Sequence, residues 1–186
     1  MKVGVLAVQG AFAEHEHMLE KLGVEYIELR KEDDIHKKYD AVILPGGEST
    51  VQGKLLKELN MFDTVKSQIE NGMPVLATCA GLILLAEELS NDYVQHIGTL
   101  PVVVKRNAYG RQLGSFSADS DILGVGTFPM RFIRAPYIES VRKDTQVLAS
   151  VDGNIVMVQN GNQLAMSFHP ELTQDTRIHE KFLELI

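Results

Sequence analysis

Short apolar runs and amphipathic stretches alternate along the first half of the chain. Lys2 to Val8 is a compact apolar run, closed by Gln9-Gly10, and reads as a buried strand. Ala11 to Leu22 follows with helical spacing, its inner face carrying Phe12, Met18, Leu19 and Leu22, and Gly23 stops it. Val24 to Leu29 alternates and predicts a second strand. Asp40 to Leu44 predicts a third, running into Pro45-Gly46-Gly47. Val51 to Leu59 and Met61 to Ile69 are spaced as helices, closed by Asn71-Gly72. Pro74 to Thr78 predicts a fourth strand and Ala80 to Leu89 a helix. Such alternation implies parallel strands joined by right-handed crossovers. The expected fold is therefore α/β: an open, doubly wound, mostly parallel sheet with helices on both faces. Ligands bind beyond the carboxyl ends of strands in these sheets, so the loops after Leu44 and Thr78 belong to the functional edge.

From about Leu100 the pattern changes. Strand-like pieces dominate, at Val102 to Lys105, Met130 to Ile133, Gln146 to Ser150, Ile155 to Gln159 and Leu164 to Phe168. Turn signals such as Asp152-Gly153-Asn154 and Asn160-Gly161-Asn162 separate them. They predict antiparallel additions returning to the same sheet, before a closing helix over Thr176 to Leu185. No linker, repeat or low-complexity tract interrupts residues 1–186, which predicts a single domain.

Composition narrows the possible partners. Apolar residues make up 45% of the 186, enough for a full core. A net charge of -7 argues against nucleic acid and anionic membrane, which carry the same sign. No apolar run approaches the ~20 residues that span a bilayer. The start loosely mimics a short signal peptide, but one Lys is a poor basic region and Gln9-Gly10 breaks the apolar stretch, so a buried strand is expected. A single cysteine excludes an internal disulfide and cysteine-rich zinc sites, and fits a reducing, cytoplasmic compartment.

That cysteine is Cys79, in Ala77-Thr78-Cys79-Ala80-Gly81, where a buried strand turns into a helix between small residues. A nucleophile elbow needs this setting: a sharp turn that exposes the side chain. The helix N-terminus favours thiolate, and the Ala80 amide is free to donate to an oxyanion. The alternative is an inert buried cysteine. A nucleophile needs a base, and of the six histidines His169 is placed best. It follows a strand and precedes Pro170 and Glu171, whose carboxylate in an extended segment would share its side and orient the imidazole. The alternative is a polar surface turn. His15 and His17 stand two apart on a helix, face different ways and make a poor metal pair. His36 reads as solvated, and His96 and His179 carry no chemical signal. A third constellation is Leu44-Pro45-Gly46-Gly47-Glu48-Ser49-Thr50. It lacks P-loop and dinucleotide signatures, and fits an amide-lined oxyanion or amino-acid pocket, or else a plain turn capped by Ser49 or Thr50.

Pro45-Gly46-Gly47-Glu48-Ser49-Thr50, Thr78-Cys79-Ala80-Gly81-Leu82 and Ser167-Phe168-His169-Pro170-Glu171-Leu172 occur in that order. Together they resemble the class I (triad-type) glutamine amidotransferases, which have flavodoxin-like layers. Val8-Gln9-Gly10-Ala11, Arg106-Asn107 with Tyr109-Gly110-Arg111-Gln112, and Phe132-Ile133-Arg134-Ala135-Pro136 make the chain similar to the glutaminase subunits of pyridoxal 5'-phosphate synthases. The resemblance implies a triad of Cys79, His169 and Glu171, and an oxyanion hole from the Gly47 and Ala80 amides. It implies that Gly47, Glu48, Ser49, Arg106, Ile133 and Arg134 bind L-glutamine, with no metal and no cofactor. It also implies delivery of ammonia to a (β/α)8-barrel synthase subunit, for which pyridoxal 5'-phosphate is product rather than helper. The chain departs from the family at Ala77, where the amidotransferase elbow usually has Gly. Another Cys–His hydrolase on a similar sheet, peptidase-like or chaperone-like, is the competing reading, as is a non-enzymatic subunit with a vestigial site. The segment around Gln9-Gly10, near the expected active edge, is a candidate docking surface.

Overall fold

A computed structural model describes residues 1–108 and 114–186. The Tyr109-Gly110-Arg111-Gln112 motif lies outside the described residues. The first half follows the periodicity: β1 (Lys2–Leu6), α1 (Phe12–Lys21), β2 (Glu25–Leu29), a short α2 (Glu32–Ile35), β3 (Ala41–Leu44), α3 (Ser49–Glu58), α4 (Phe62–Glu70), β4 (Val75–Thr78) and α5 (Ala80–Leu85). The second half contains β5 (Ala86–Leu89), β6 (Leu100–Lys105), β7 (Ser115–Ile122), β8 (Gly126–Ile133), β9 (Tyr137–Val141), β10 (Gln146–Val151), β11 (Asn154–Asn160), β12 (Gln163–Met166) and α6 (Arg177–Leu183). Among the described residues no helix is long and apolar enough to cross a membrane.

Ten strands form one sheet in the order β2-β1-β3-β4-β12-β11-β9-β6-β5, with β10 added on β11, among the described residues. The block from β2 to β12 is parallel throughout. Its strands alternate between two cores, as a period of two requires when both faces are covered. Val42, Leu44, Val75 and Ala77 join Leu56, Val65, Ile69 and Leu82 from α3, α4 and α5 on one side. Val3, Val5, Ile43 and Leu76 join Leu19 of α1 and Ile178 and Phe182 of α6 on the other. This is the doubly wound arrangement expected from the sequence.

Three expectations need correction. The helix expected over Ala80 to Leu89 ends at Leu85, where Ala86 takes φ -56 and ψ 133 and starts β5, paired parallel to β6. Leu82 to Leu85 are all buried, so no polar face marked where the helix stopped. The late strands are not all antiparallel additions: β12 inserts parallel beside β4, with Met166 opposite Thr78. Finally, β8 leaves the sheet and, among the described residues, pairs only with β7, whose Ser-Phe-Ser-Ala-Asp-Ser-Asp-Ile sequence carries little strand signal. This ribbon lays Phe128, Met130 and Phe132 into the second core beside Phe168. The Phe132 and Phe168 rings meet edge-on with centroids 5.8 Å apart. Burying each such ring stabilises the fold by about 2 kcal/mol, and together they fasten the ribbon over the carboxyl ends of β4 and β12.

The turn from β4 into α5 leaves no free space. A Cβ built on Gly81 would lie 2.1 Å from the Leu44 carbonyl oxygen, backbone against backbone. Gly81→Ala is therefore expected to destabilise the protein by about 2 kcal/mol through overpacking, read as a lower urea midpoint. An unchanged midpoint would show that α5 does not press on β3.

Candidate active site

The site forms where β3, β4 and β12 end. Cys79 sits between β4 and α5 at φ 48 and ψ -98, a region that a residue with a side chain occupies only under strain, at a cost on the order of 1–3 kcal/mol. Its amide is anchored to the Met166 carbonyl at 2.9 Å, and α5 begins at the next residue. The first amides of a helix have no partner within it, so the Ala80 N–H points out of the corner unpaired by the helix. The strain is borne with Ala77 preceding it by two, so glycine is not required there.

His169 ends the segment after β12. Its amide donates to the Arg131 carbonyl of β8 at 2.8 Å, which ties it to the ribbon. Glu171 does not reach it along an extended segment, as the sequence suggested. Pro170–Leu172 close a 3-10 turn, and the turn brings Glu171 Oε1 to 2.7 Å from His169 Nδ1. Cys79, His169 and Glu171 are all buried, at 6%, 6% and 5% exposure. Burial lowers the affinity of His169 for a proton, but hydrogen bonds and charge from Cys79 and Glu171 outweigh it and push the imidazole up to about 10. Burial lifts the Glu171 carboxyl above the usual range, and His169 pulls against that. Both groups thus resist losing a proton. His169 has Glu171 on one side and Cys79 on the other, and both favour its protonated form.

The loop from β3 to α3 closes the other wall. A Cβ on Gly46 would lie 2.3 Å from His169 Cε1, so only glycine lets the loop lie against the imidazole. The loop is stitched to the start of α1: Ala11 N–H donates to the Gly46 carbonyl at 2.9 Å, and Glu48 N–H to Gln9 Oε1 at 2.9 Å. Gln52 Nε2 donates to the carbonyls of Gln9 and Pro45 at 3.0 and 3.2 Å.

These walls enclose a cleft of about 350 Å³ lined by Gln9, Gly47, Glu48, Ser49, Cys79, Ile83, Arg106, Asn107, Ile133, Arg134 and His169. Every residue expected to bind glutamine thus meets there. Glu171 stands behind His169 and does not line the cleft. Arg134, at φ 41, forms an exposed pair with Glu48 at 3.7 Å. Arg106 is held by Asp92 and by Thr50 Oγ1 at 3.3 Å. The cleft therefore offers guanidinium, carboxylate and amide groups around one thiol, which suits an amino acid with a reactive side-chain amide.

Comparison with known proteins decides the family. The chain matches the SNO glutamine amidotransferase family over residues 5–186. It belongs to that family. A protein from Desulfitobacterium hafniense (strain DSM 10664 / DCB-2) named pyridoxal 5'-phosphate synthase subunit PdxT is 61% identical, the match covering 100% of this chain and 94% of that one. A protein of the same name from Streptococcus pneumoniae (strain CGSP14) is 53% identical, over 100% of this chain and 97% of the other. The crystal structure of a glutamine amidotransferase superimposes with a TM-score of 0.93 at 45% identity, covering 98% of this chain and 97% of that one. A glutamine amidotransferase from Thermotoga maritima shares the fold at 15% identity and a TM-score of 0.67, covering 99% of this chain and 83% of that one. Family membership goes against the peptidase-like and chaperone-like alternatives.

The sequence reading missed what lies behind the triad. His15 of α1 and His179 of α6 are fully buried, and their Nδ1 and Nε2 atoms are 2.9 Å apart. His15 Nε2 is 3.2 Å from Thr78 Oγ1. A signal existed: His15 falls on the apolar helical face between Phe12 and Leu19. His17 points away and is exposed, as expected, and His36 is also exposed. His96 is buried, with Nε2 unpaired among the described residues.

Burial drives His15 well below its usual value, assisted by His179 and His169, and drives His179 down to about 4. Both rings are neutral in the fold. The unfolded chain binds protons more readily there, so their contribution is complete above about 6.5 and is lost as pH falls. The His169 contribution has the opposite sign, present below about 6.5 and lost as pH rises toward about 10. Between pH 6.5 and about 4, His179→Gln is expected to lose stability less steeply than the parent. The slopes should differ by up to about 1.4 kcal/mol per pH unit. Urea midpoints across this range measure it, and equal slopes would mean that His179 takes up a proton as easily folded as unfolded.

Proposed function

We propose that residues 1–186 act as one glutaminase domain that hydrolyses L-glutamine to L-glutamate and ammonia through a Cys79 thioester. One observation carries this reading: a thiol on a strained strand–helix corner shares a cleft with an imidazole that is held and oriented by a carboxylate at 2.7 Å. The Cys79 thiolate attacks the side-chain carboxamide carbon, forming the C–S bond and an oxyanion. The Gly47 and Ala80 amides stabilise that oxyanion. Protonated His169 gives its proton to the departing nitrogen as the C–N bond breaks, leaving the thioester. Neutral His169 then takes a proton from water, which attacks the thioester and releases glutamate and the thiol. Glu171 keeps the imidazole in one tautomer and orientation throughout. Arg106 and Arg134 supply positive charge for the α-carboxylate of glutamine and Glu48 supplies negative charge for its ammonium, while Ser49 and Ile133 shape the pocket.

The ammonia serves a synthase partner. The names of the relatives support a place as one subunit of a pyridoxal 5'-phosphate synthase; in the proposed reading the ammonia goes to a (β/α)8-barrel subunit in a cytoplasmic complex, where pyridoxal 5'-phosphate is the product. The segment around Gln9-Gly10 contacts the glycine loop directly, which supports its role as a docking surface. Docking there would act on the loop carrying Gly47 and complete the oxyanion hole only in the complex, a population shift that prevents waste of glutamine.

Two outcomes follow. Cys79→Ala is expected to abolish ammonia release while leaving synthase binding intact, measured by coupled glutamate detection and co-purification; surviving activity would refute the triad. Glutamine hydrolysis is expected to accelerate when the synthase partner is added, and equal rates with and without it would refute control by docking.

A further inference from the structure

A file of buried polar groups extends behind the triad, and its chemistry is not used by the steps above. Glu171 Oε1 is occupied by His169, but Oε2 is buried and makes no hydrogen bond among the described residues. His15 Nε2 stands 3.5 Å from Oε2 and 3.2 Å from Thr78 Oγ1. On its other side His15 Nδ1 meets His179 Nε2 at 2.9 Å, and His179 Nδ1 has no partner among the described residues. Thr78 Oγ1 also accepts the Gly46 N–H, at 3.0 Å.

The surroundings select the tautomers. One proton lies between His15 and His179. If it sat on His15 Nδ1, the Nε2 lone pair would face the Glu171 carboxylate, and His179 would bury an N–H with no acceptor. If it sits on His179 Nε2, His15 accepts at Nδ1 and carries its own proton on Nε2. That N–H then points at Thr78 Oγ1 and Glu171 Oε2, and His179 is left with an unfilled lone pair in place of a buried N–H. An unsatisfied acceptor is the more tolerable of the two in a protein interior. Burial lowers the proton affinity of both rings and so favours their neutral forms.

We propose that His15 is a positioning residue for glutamine hydrolysis, whose Nε2–H braces Glu171 from behind and, through Thr78 Oγ1, ties the Gly46 amide to the same point. His179 sets the tautomer that makes this possible. One ring thereby couples the orientation of His169 to the position of the glycine loop. The inference rests on the proposed triad. His15 touches neither glutamine nor the cleft, so its loss should lower kcat and leave KM for glutamine nearly unchanged.

The test compares His15→Asn with His15→Gln in the full chain. Glutamine places an amide N–H near the position of the imidazole Nε2, whereas asparagine reaches only as far as Nδ1. Both should lower the thermal midpoint similarly. His15→Asn is expected to lose about tenfold or more in kcat, and His15→Gln to recover most of it, within about threefold of the parent. Alkylation of Cys79 by iodoacetamide at neutral pH reports the thiolate without needing glutamine or the synthase partner. It should slow in His15→Asn and not in His15→Gln. An Asn variant with parental kcat, or two variants that lose activity equally, would overturn the proposal. If His15→Asn does not fold, Thr78→Val keeps the volume and removes the hydroxyl. It should lower kcat while Cys79 alkylates at the parental rate; parental kcat would again overturn the proposal. His169→Asn run alongside separates the two levels. If it still hydrolyses glutamine, the triad reading fails; if it is inactive while His15→Asn is unimpaired, only the positioning role fails.

Discussion

Everything at the site depends on how closely the β3–α3 corner approaches its neighbours. The Gly46 backbone lies flat against the His169 ring, with 2.3 Å between the place of a Cβ and the Cε1 atom. Gly10 approaches the same corner from the other side, where a Cβ would stand 2.0 Å from the Gly46 carbonyl oxygen. Three stretches distant in sequence therefore converge at glycines, where no Cβ holds them apart. Amides from one come within reach of a substrate held by another because of it. The hydrogen bonds from Ala11 to Gly46 and from Glu48 to Gln9 preserve the convergence once formed. Segments 9–11 and 45–48 are thus tied into one wall of the cleft.

The same dry environment treats its histidines in opposite ways. Burial disfavours charge on His15, His169 and His179 alike. His169 overcomes it because a thiol and a carboxylate accept from its two sides. His15 and His179 face each other and a hydroxyl, with the carboxylate only at 3.5 Å, so burial prevails. The proton is thus favoured on the ring that lines the cleft and disfavoured on the two rings behind it. Neutral imidazoles can brace a carboxylate without competing with His169 for its negative charge, which a second buried cation would do.

Much of this was readable in the chain. The strands β1 to β4 and helices α1, α3 and α4 followed from apolar spacing, because each is buried on a face that repeats with its own period. The Cys79 corner was legible because small residues on both sides of a reactive one have few other reasons to occur at a strand end. Glu171 was assigned its role for the wrong geometric reason: a 3-10 turn, not an extended segment, delivers it to His169. The end of α5 was unreadable, since a fully apolar helix and a buried strand share one pattern, and pairing with β6 decided between them. The ribbon of β7 and β8 was hidden by the polar composition of β7, whose alternate residues face solvent.

The sequence by itself determined the alternating fold, the strand–helix corner at Cys79 with its glycine-rich companion turn, and the family to which the chain belongs. These are local matters of periodicity, turn chemistry and residue type. What only the tertiary structure decided is which groups meet. It brought Gln9 to the glycine loop, paired Arg106 with Asp92 and Arg134 with Glu48, and joined His15 to His179 across 164 positions of chain. Such contacts depend on crossover geometry and on the register of β12 against β4, which no single segment encodes. The physical reason is that a polar group reveals its partner only once burial has removed water as the alternative.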